Sequence, residues 1–171
     1  KVVLYVQNLG EQLWGNVFWS PDTKFQMCKR FIIPFYHQNA VVGYTARYAL
    51  KTPPGKIPKY MTKCPDAFLF NNHFLDYFTR KYIILVEGPV DARSINGVAY
   101  LKDSLGPKQI NWLNSSGKEI ILLPDRGKSA KVAIDQAIEH GWSVSMPREW
   151  EHGLKDAHDA YLKYGALWTT E

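Results

Sequence analysis

The chain has 171 residues, of which 46% are hydrophobic and 14% aromatic, so it can form the folded core of one large domain or two small ones. Its formal net charge of +5 allows a polyanionic partner without requiring one. Cys28 and Cys64 form no CxxC pair, which argues against a zinc ribbon or a disulfide framework and makes the reducing cytoplasm the expected compartment. No apolar run approaches the roughly 20 residues of a membrane helix, so no membrane partner is expected.

The first half of the chain predicts short mixed elements. Residues 1–29 combine aromatic residues with turn formers, and residues 31–36 and 40–48 predict two strands joined by a tight turn. Residues 51–65 are rich in Pro, Gly and Lys, which is typical of a loop. Residues 71–80 predict a short helix.

The second half alternates between strand and helix patterns. The expected strands are 82–86, 98–101, 119–123 and 142–146, and the expected helices are 90–96, 107–114, 129–140 and 155–163. Such alternation predicts an α/β fold, a parallel sheet with helices on both faces. We therefore expect a smaller mixed α+β subdomain over residues 1–80, followed by the sheet domain over residues 81–171.

Two of the expected strands end in a carboxylate. Glu87 follows the strand 82–86, and Asp125 follows the strand 119–123. Ligands of open parallel sheets collect beyond the carboxyl ends of the strands, where these acids would face one another. With Asp156 they offer the oxygen ligands that Mg²⁺ prefers, and Mg²⁺ suits phosphoryl transfer. An acid at a strand end is also commonly a helix cap, and Asp91 fits that role in the first turn of the next helix.

Short motifs occur in a fixed order along most of the chain. Residues 85–91 (Leu-Val-Glu-Gly-Pro-Val-Asp), 105–106 (Leu-Gly) and 121–126 (Ile-Leu-Leu-Pro-Asp-Arg) resemble the Toprim domain of primases, topoisomerases and some nucleases. That family has one strand ending in Glu-Gly and a later strand ending in Asp-x-Asp.

Upstream and downstream motifs narrow the resemblance to primases. Upstream, residues 30–35, 42–47 and 58–60 resemble the segment that precedes the Toprim domain in bacterial-type replicative primases. Downstream, the stretches that look most like phage primases are residues 142–147, 155–160 and 164–165. The resemblance covers about residues 28–167.

The resemblance implies a DNA primase core, which makes short RNA primers on single-stranded DNA from ribonucleoside triphosphates. It implies that Glu87 and Asp125 are catalytic and, with Asp156, hold Mg²⁺ or Mn²⁺, with no zinc in this chain. The implied cations for template and nucleotide are Arg30, Arg47, Lys56 and Lys59, although a solvated surface position is equally expected for Lys56. The implied supporting residues are Gly88, Asp91, Gly106 and Gly127. A replicative helicase is the expected partner, through regions outside this chain.

Two departures from the family pattern keep alternatives open. Gly127 stands where the family has the second Asp, which removes one ligand and one negative charge, and His158 stands where bacterial primases have an acid. One alternative is therefore a catalytically weakened Toprim protein that binds nucleic acid or a replication partner. A second alternative is a Toprim nuclease or topoisomerase.

Overall fold

The computed structural model describes residues 17–20, 22, 26–50, 55, 57–127, 130–148, 150 and 153–165. The contacts divide the chain into two compact units, residues 1–65 and residues 66–171. No helix within the described ranges is long and apolar enough to cross a membrane.

The first unit contains a four-stranded antiparallel sheet in the order β1-β2-β3-β4. Its strands are β1 Phe18–Trp19, β2 Arg30–His37, β3 Ala40–Tyr48 and β4 Tyr60–Lys63. The alternating side chains of Phe31, Ile33 and Phe35 are buried, which gives β2 its inward face. The hairpin of β2 and β3, with its turn at residues 38–39, confirms the sequence prediction.

The prediction of a loop over residues 51–65 is wrong for residues 60–63, which form β4. This strand pairs antiparallel with β3, with Arg47 opposite Tyr60 and Thr45 opposite Thr62. The hydroxyls of Thr45 and Thr62 lie 2.8 Å apart and share a hydrogen bond across the pair. Pairing with β3 therefore outweighs the turn-forming composition of the segment.

The second unit contains a four-stranded parallel sheet in the order β6-β5-β7-β8. Its strands are β5 Tyr82–Val86, β6 Val98–Ala99, β7 Glu119–Leu122 and β8 Ser143–Val144. Its α-helices are α1 Pro89–Ser94, α2 Pro107–Ser115, α3 Ala130–Glu139 and α4 Ala157–Tyr164, and a 3-10 helix spans Asn72–Leu75. These elements confirm the predicted α/β alternation. In the sheet, β6 lies next to β5 on one side and β7 lies next to it on the other. The chain therefore reverses its direction of travel across the sheet between β5 and β7, and this is the topological switch point.

The core of the second unit joins the sheet to its helices. Ile83 and Leu85 of β5 lie fully buried in one cluster with Leu113 of α2 and with Ala133 and Ala137 of α3. On the other face, α1 packs against α4 and against β5. Both faces of the sheet are therefore covered, as parallel sheets require.

The second unit begins at Asp66, ahead of the boundary predicted at residue 80. Phe70 exchanges two backbone hydrogen bonds with Ala99 of β6, and Leu69 and Leu75 are buried in the second core. The helix predicted for residues 71–80 shortens to the 3-10 turn. The rest of the predicted helix is replaced by turns. The Lys118 ammonium donates hydrogen bonds to the carbonyls of Tyr77 and Arg80 in these turns.

Two buried or half-buried glutamines fasten the loops at the carboxyl edge of the sheet. Gln109 donates from Nε2 to the carbonyls of Phe68 and Tyr100 at 2.8 and 3.0 Å, and its Oε1 accepts from the Gly106 N–H at 2.9 Å. Gln136 of α3 closes a pair of 2.9 Å hydrogen bonds with both backbone groups of Leu105. Residues 100–106 have little regular structure, so these amides position the loop.

We predict that Gln109→Leu lowers the free energy of unfolding by about 3 kcal/mol, because it removes three hydrogen bonds to buried or part-buried backbone groups, at roughly 0.5–1.5 kcal/mol each. Urea denaturation followed by circular dichroism measures the change. Lys108→Ala, on the exposed face of the same helix, serves as the control and should stay within about 0.5 kcal/mol of the parent. Equal stabilities of the two variants would contradict the role assigned to Gln109.

Candidate active site

The switch point between β5 and β7 places Glu87 and Asp125 at the same edge of the sheet. Leu85 pairs with Leu122, and the Leu123 N–H donates to the Leu85 carbonyl at 2.9 Å, so both acids leave the sheet just beyond its last ladder bonds. Both side chains are half-buried. The structure thus brings together the two residues that the sequence places at strand ends.

Burial, and after it repulsion between carboxylates, sets the electrostatics of this edge. Burial, then the charges of Glu87, Asp156 and Asp159, raises the pKa of Asp125 from 3.8 to about 7. Burial, then Asp103, raises the pKa of Glu87. Among the described residues, the neighbouring charges that shift these two acids are those of Asp103, Asp156, Asp159 and Glu87, all carboxylates, so the edge concentrates negative charge.

Asp91 is more than a helix cap. It is buried in the first turn of α1, and its Oδ1 accepts a 3.0 Å hydrogen bond from the His158 N–H at the start of α4. Burial, then the charges of Asp156 and Asp125, holds the pKa of Asp91 well above its usual range. Gly88 makes room for it, since a Cβ at Gly88 would lie 2.6 Å from Asp91 Oδ2.

Asp156 is the N-cap of α4. Its Oδ1 accepts from the Asp159 N–H at 2.8 Å, while Asp159 Oδ2 accepts from the Lys155 N–H at 3.1 Å. The cap does not neutralise Asp156, whose charge still acts on Asp91 and Asp125. The residue therefore combines the capping role with a place in the acidic edge.

The remaining supporting residues lie around this edge. Gly106 precedes α2 and is fixed by Gln109, whereas Gly127 is exposed and its carbonyl accepts from the Ala130 N–H at 3.3 Å. His158 is buried, and its Nδ1 shares a 2.8 Å hydrogen bond with Ser94 Oγ, which ties α4 to α1.

Several residues of the edge escaped the sequence analysis. Tyr100 is buried beside four of the acids, and burial followed by their charges raises its pKa, so it stays a neutral phenol. Arg126 donates to the carbonyls of Trp150 and Pro147 and lies over the Trp150 ring. Asp159, whose charge acts on Asp125, also escaped the sequence analysis. It is the one of these three residues that had a signal in the sequence, the spacing Asp-x-x-Asp that marks a helix N-terminus.

The donor set fits a hard divalent cation. No three His, Cys, Asp or Glu side chains form a ready metal cage in the described part of the chain. Mg²⁺ does not need one, because it binds through one or two carboxylates and keeps several waters. Asp125, whose pKa is raised to about 7 by burial and then by surrounding carboxylates, is the kind of group that a cation stabilises. Glu87 and Asp125 are therefore the residues that would hold it.

The first unit carries an excess of positive charge. Residues 1–65 contain nine Lys and Arg against two Asp and Glu, which leaves residues 66–171 with a net charge of −2. Lys56 lies outside the described residues.

Two of the predicted cations surround one aromatic ring. The Arg47 guanidinium lies 5.2 Å and the Lys59 ammonium 5.8 Å from the centroid of the half-exposed Tyr60 ring. Lys59 is exposed, and Arg47 faces Tyr60 across the β3–β4 pair. Cations held at an exposed ring form a surface that suits nucleic acid.

Arg30 occupies a different environment from the other predicted cations. Its side chain is fully buried, and its guanidinium donates to the carbonyls of Gln26, Ala46, Pro58 and Lys59 at 2.5–3.0 Å. Burial argues against direct contact with a phosphate. Instead Arg30 fastens the segment that carries Lys59 and Tyr60, which makes it a positioning residue.

The fold is that of primase catalytic cores. No protein-family model and no curated protein matches the sequence. Among solved structures, the chain is similar to the zinc-binding and RNA polymerase domains of the Aquifex aeolicus primase, with 23% identity, a TM-score of 0.63, and coverage of 91% of this chain and 42% of that one. It is also similar to the DnaG primase catalytic domain bound to single-stranded DNA, with 18% identity, a TM-score of 0.63, and coverage of 91% and 56%.

A phage structure extends the likeness. The primase fragment of the bacteriophage T7 primase-helicase protein matches with 18% identity, a TM-score of 0.57, and coverage of 85% of this chain and 66% of that one. These likenesses confirm the predicted fold. The chain spans about half the length of the bacterial primase chains that it matches, between 42% and 56%.

We predict that stability in the absence of metal falls as the pH rises from about 4 to about 7. The folded pKa of Asp125 is about 7 and its ordinary value is 3.8, so within that window the folded state holds a proton that the unfolded state has released. Asp125→Asn should flatten this slope and raise the melting temperature at pH 8 by about 2 °C or more. Thermal melts in EDTA between pH 5 and pH 8 measure it. Glu139→Gln, at an exposed position of α3, is the control and should leave the slope unchanged. An unchanged slope in Asp125→Asn would refute the raised pKa assigned to Asp125.

Proposed function

We propose that this chain is the RNA polymerase core of a DNA primase, which joins ribonucleotides into short primers on single-stranded DNA. The observation that carries the proposal is the pair Glu87 and Asp125 at the switch point of a sheet with the primase-core fold. The reaction is a nucleotidyl transfer from ribonucleoside triphosphates.

The acidic edge sets the conditions for that chemistry. Glu87 and Asp125 would repel a triphosphate if nothing screened their charge, and Asp91 adds a third carboxyl beneath them. A bound Mg²⁺, or Mn²⁺, supplies neutralisation of phosphate oxygens and activation of the primer 3′-hydroxyl. Gly88 presents no side chain to an approaching phosphate, and the neutral Tyr100 phenol adds no charge.

The first unit is proposed to bind the template. Arg47 and Lys59 can pair with phosphates while the exposed Tyr60 ring stacks on a base, which gives contacts that do not depend on sequence. The replicative helicase is proposed to contact regions outside this chain. A role in replication would place the protein in the cytoplasm, which is that of the bacterial host if the protein is phage-encoded.

One observation favours a second candidate function. Gly127 offers no carboxylate where the resembling family has its second Asp. The second candidate is a weakened Toprim protein that binds nucleic acid or a replication partner without turnover.

We predict metal-dependent extension of a pre-annealed RNA primer on single-stranded DNA, with labelled ribonucleotides and Mg²⁺ or Mn²⁺. Glu87→Gln should reduce the rate by at least about 10–100-fold, the loss that even outer-shell partners of a metal can cause. Gly127→Asp should raise the rate by restoring a ligand, whereas Ser115→Asp adds the same charge at an exposed helix end and should not.

The outcomes separate the candidates. Extension that Glu87→Gln abolishes supports a primase with the acids present here. Extension only after Gly127→Asp indicates a primase fold with a disabled metal site. No extension by any variant, with DNA binding intact, favours the binding protein.

We also predict that Lys59→Ala weakens binding of an oligo-dT by several-fold and lowers the salt dependence by about 0.7 in logarithmic slope, because one phosphate contact is lost. Fluorescence anisotropy between 50 and 200 mM salt measures both. Lys63→Ala, at the other end of β4, removes the same charge as a control. An equal effect of the two variants would reduce the role of Lys59 to general charge.

A further inference from the structure

An exposed segment of aromatic and basic residues leads into the first strand of the parallel sheet. Residues 77–82 read Tyr-Phe-Thr-Arg-Lys-Tyr, and we call them the 77–82 strip. Phe78 exposes 94% of its surface, Tyr82 52% and Tyr77 48%. Three large aromatic rings are thus exposed within six residues that also include Arg80 and Lys81. This exposed surface does not contribute to packing of the core.

The strip is held in place. The Lys118 ammonium donates to the carbonyls of Tyr77 and Arg80 at 2.7 and 2.8 Å. The Arg80 guanidinium donates to the Asn96 carbonyl at 2.7 Å and stacks 3.8 Å from the centroid of the Phe74 ring. Its aromatic and cationic groups are therefore presented on a fixed backbone, which reduces the entropy lost on binding.

A pocket of about 400 Å³ opens beside the strip. It is lined by Thr79, Arg80, Lys81, Tyr82, Ile84, Ile95 and Asn96. Ile84 and Ile95 provide apolar surface within the pocket, while Arg80 and Lys81 bring positive charge to it. The volume falls in the range of small-ligand sites and the lining suits a flat apolar group joined to an anion.

The pocket lies away from the acidic edge. Tyr82 begins β5 and Glu87 follows its end, so the two are separated by the length of the strand, about 17 Å at 3.3 Å per residue. The carboxylates collect at the carboxyl ends of the strands, and the strip lies at the amino ends. It is therefore a second surface and does not rest on the function proposed above.

We propose that the 77–82 strip and its pocket bind single-stranded nucleic acid, with a base against the exposed rings and the phosphates at Arg80 and Lys81. An unpaired base has an accessible face for stacking, and interleaved aromatic and basic side chains are what such strands require. Two acids are nearby. Asp76 is exposed, and Glu119 pairs in register with Tyr82 but accepts a hydrogen bond from Ser143 on the far strand. With Lys118 included, the cations outnumber them.

The test measures binding of a fluorescent 12-nucleotide oligo-dT by anisotropy in EDTA, with the Lys59→Ala chain as the parent. The metal site and primer synthesis then play no part, and the contribution of the surface around Lys59 is reduced. Phe78→Ala should weaken binding about tenfold by loss of stacking, and Lys81→Ala several-fold with a smaller salt dependence. Both side chains are exposed, and unchanged melting temperatures verify that the variants fold. The controls are Ile138→Ala, 66% exposed on α3, and Lys108→Ala on α2, which should leave the affinity unchanged.

A second arm identifies the ligand. Photocrosslinking of an oligonucleotide that carries 5-iodouracil should label the 77–82 strip, and a duplex of the same length should bind more weakly. The proposal fails if Phe78→Ala and Lys81→Ala bind as the parent does, if duplex and single strand bind alike, or if AMP alone saturates the pocket and the strand does not. A change in oligomeric state without a change in DNA affinity would instead make the strip a protein contact and also overturn the proposal.

Discussion

The burial and mutual repulsion of carboxylates at one edge of a parallel sheet are the constraint on which the rest of the second unit depends. The pairing of β5 with β7 leaves Glu87 and Asp125 side by side, and α1 and α4 bring Asp91 and Asp156 to the same place. The core beneath must offset this repulsion, since the acids gain nothing from each other. Carboxyl groups with strongly perturbed pKa values clustered in this way are typical of functional sites.

Buried amides and guanidinium groups provide the counterpart to that repulsion. Gln109 and Gln136 bind the backbone of the loop around Leu105, and Arg126 binds the carbonyls of the segment before α4. Arg30 does the same for the carbonyls of Pro58 and Lys59, just before β4 in the first unit. In each case a long side chain satisfies backbone groups of a segment that has no ladder of its own, so irregular loops acquire defined positions.

Charge is distributed unevenly along the chain. The first unit has a net charge of +7 and carries the cluster of Arg47, Lys59 and Tyr60, in which Lys59 and Tyr60 are exposed. The second unit is slightly acidic and gathers carboxylates at one edge of its sheet. A strand of nucleic acid would be attracted by the first unit and by the 77–82 strip, and repelled by the acidic edge. Phosphate would therefore approach the carboxylates only when a cation accompanies it.

The sequence by itself determined the local helices and strands and the positions of the acidic residues at the strand ends. The β-branched run of β5, the Gly-Pro step after it and the acids at two strand ends are local signals, and they predicted the α/β unit and the positions of Glu87 and Asp125. Tertiary structure alone decided that residues 60–63 form a strand, that Arg30 is buried, and that Asp91 is covered by α4. The reason is physical: strand pairing and burial depend on partners far away in the sequence, and no local pattern contains them.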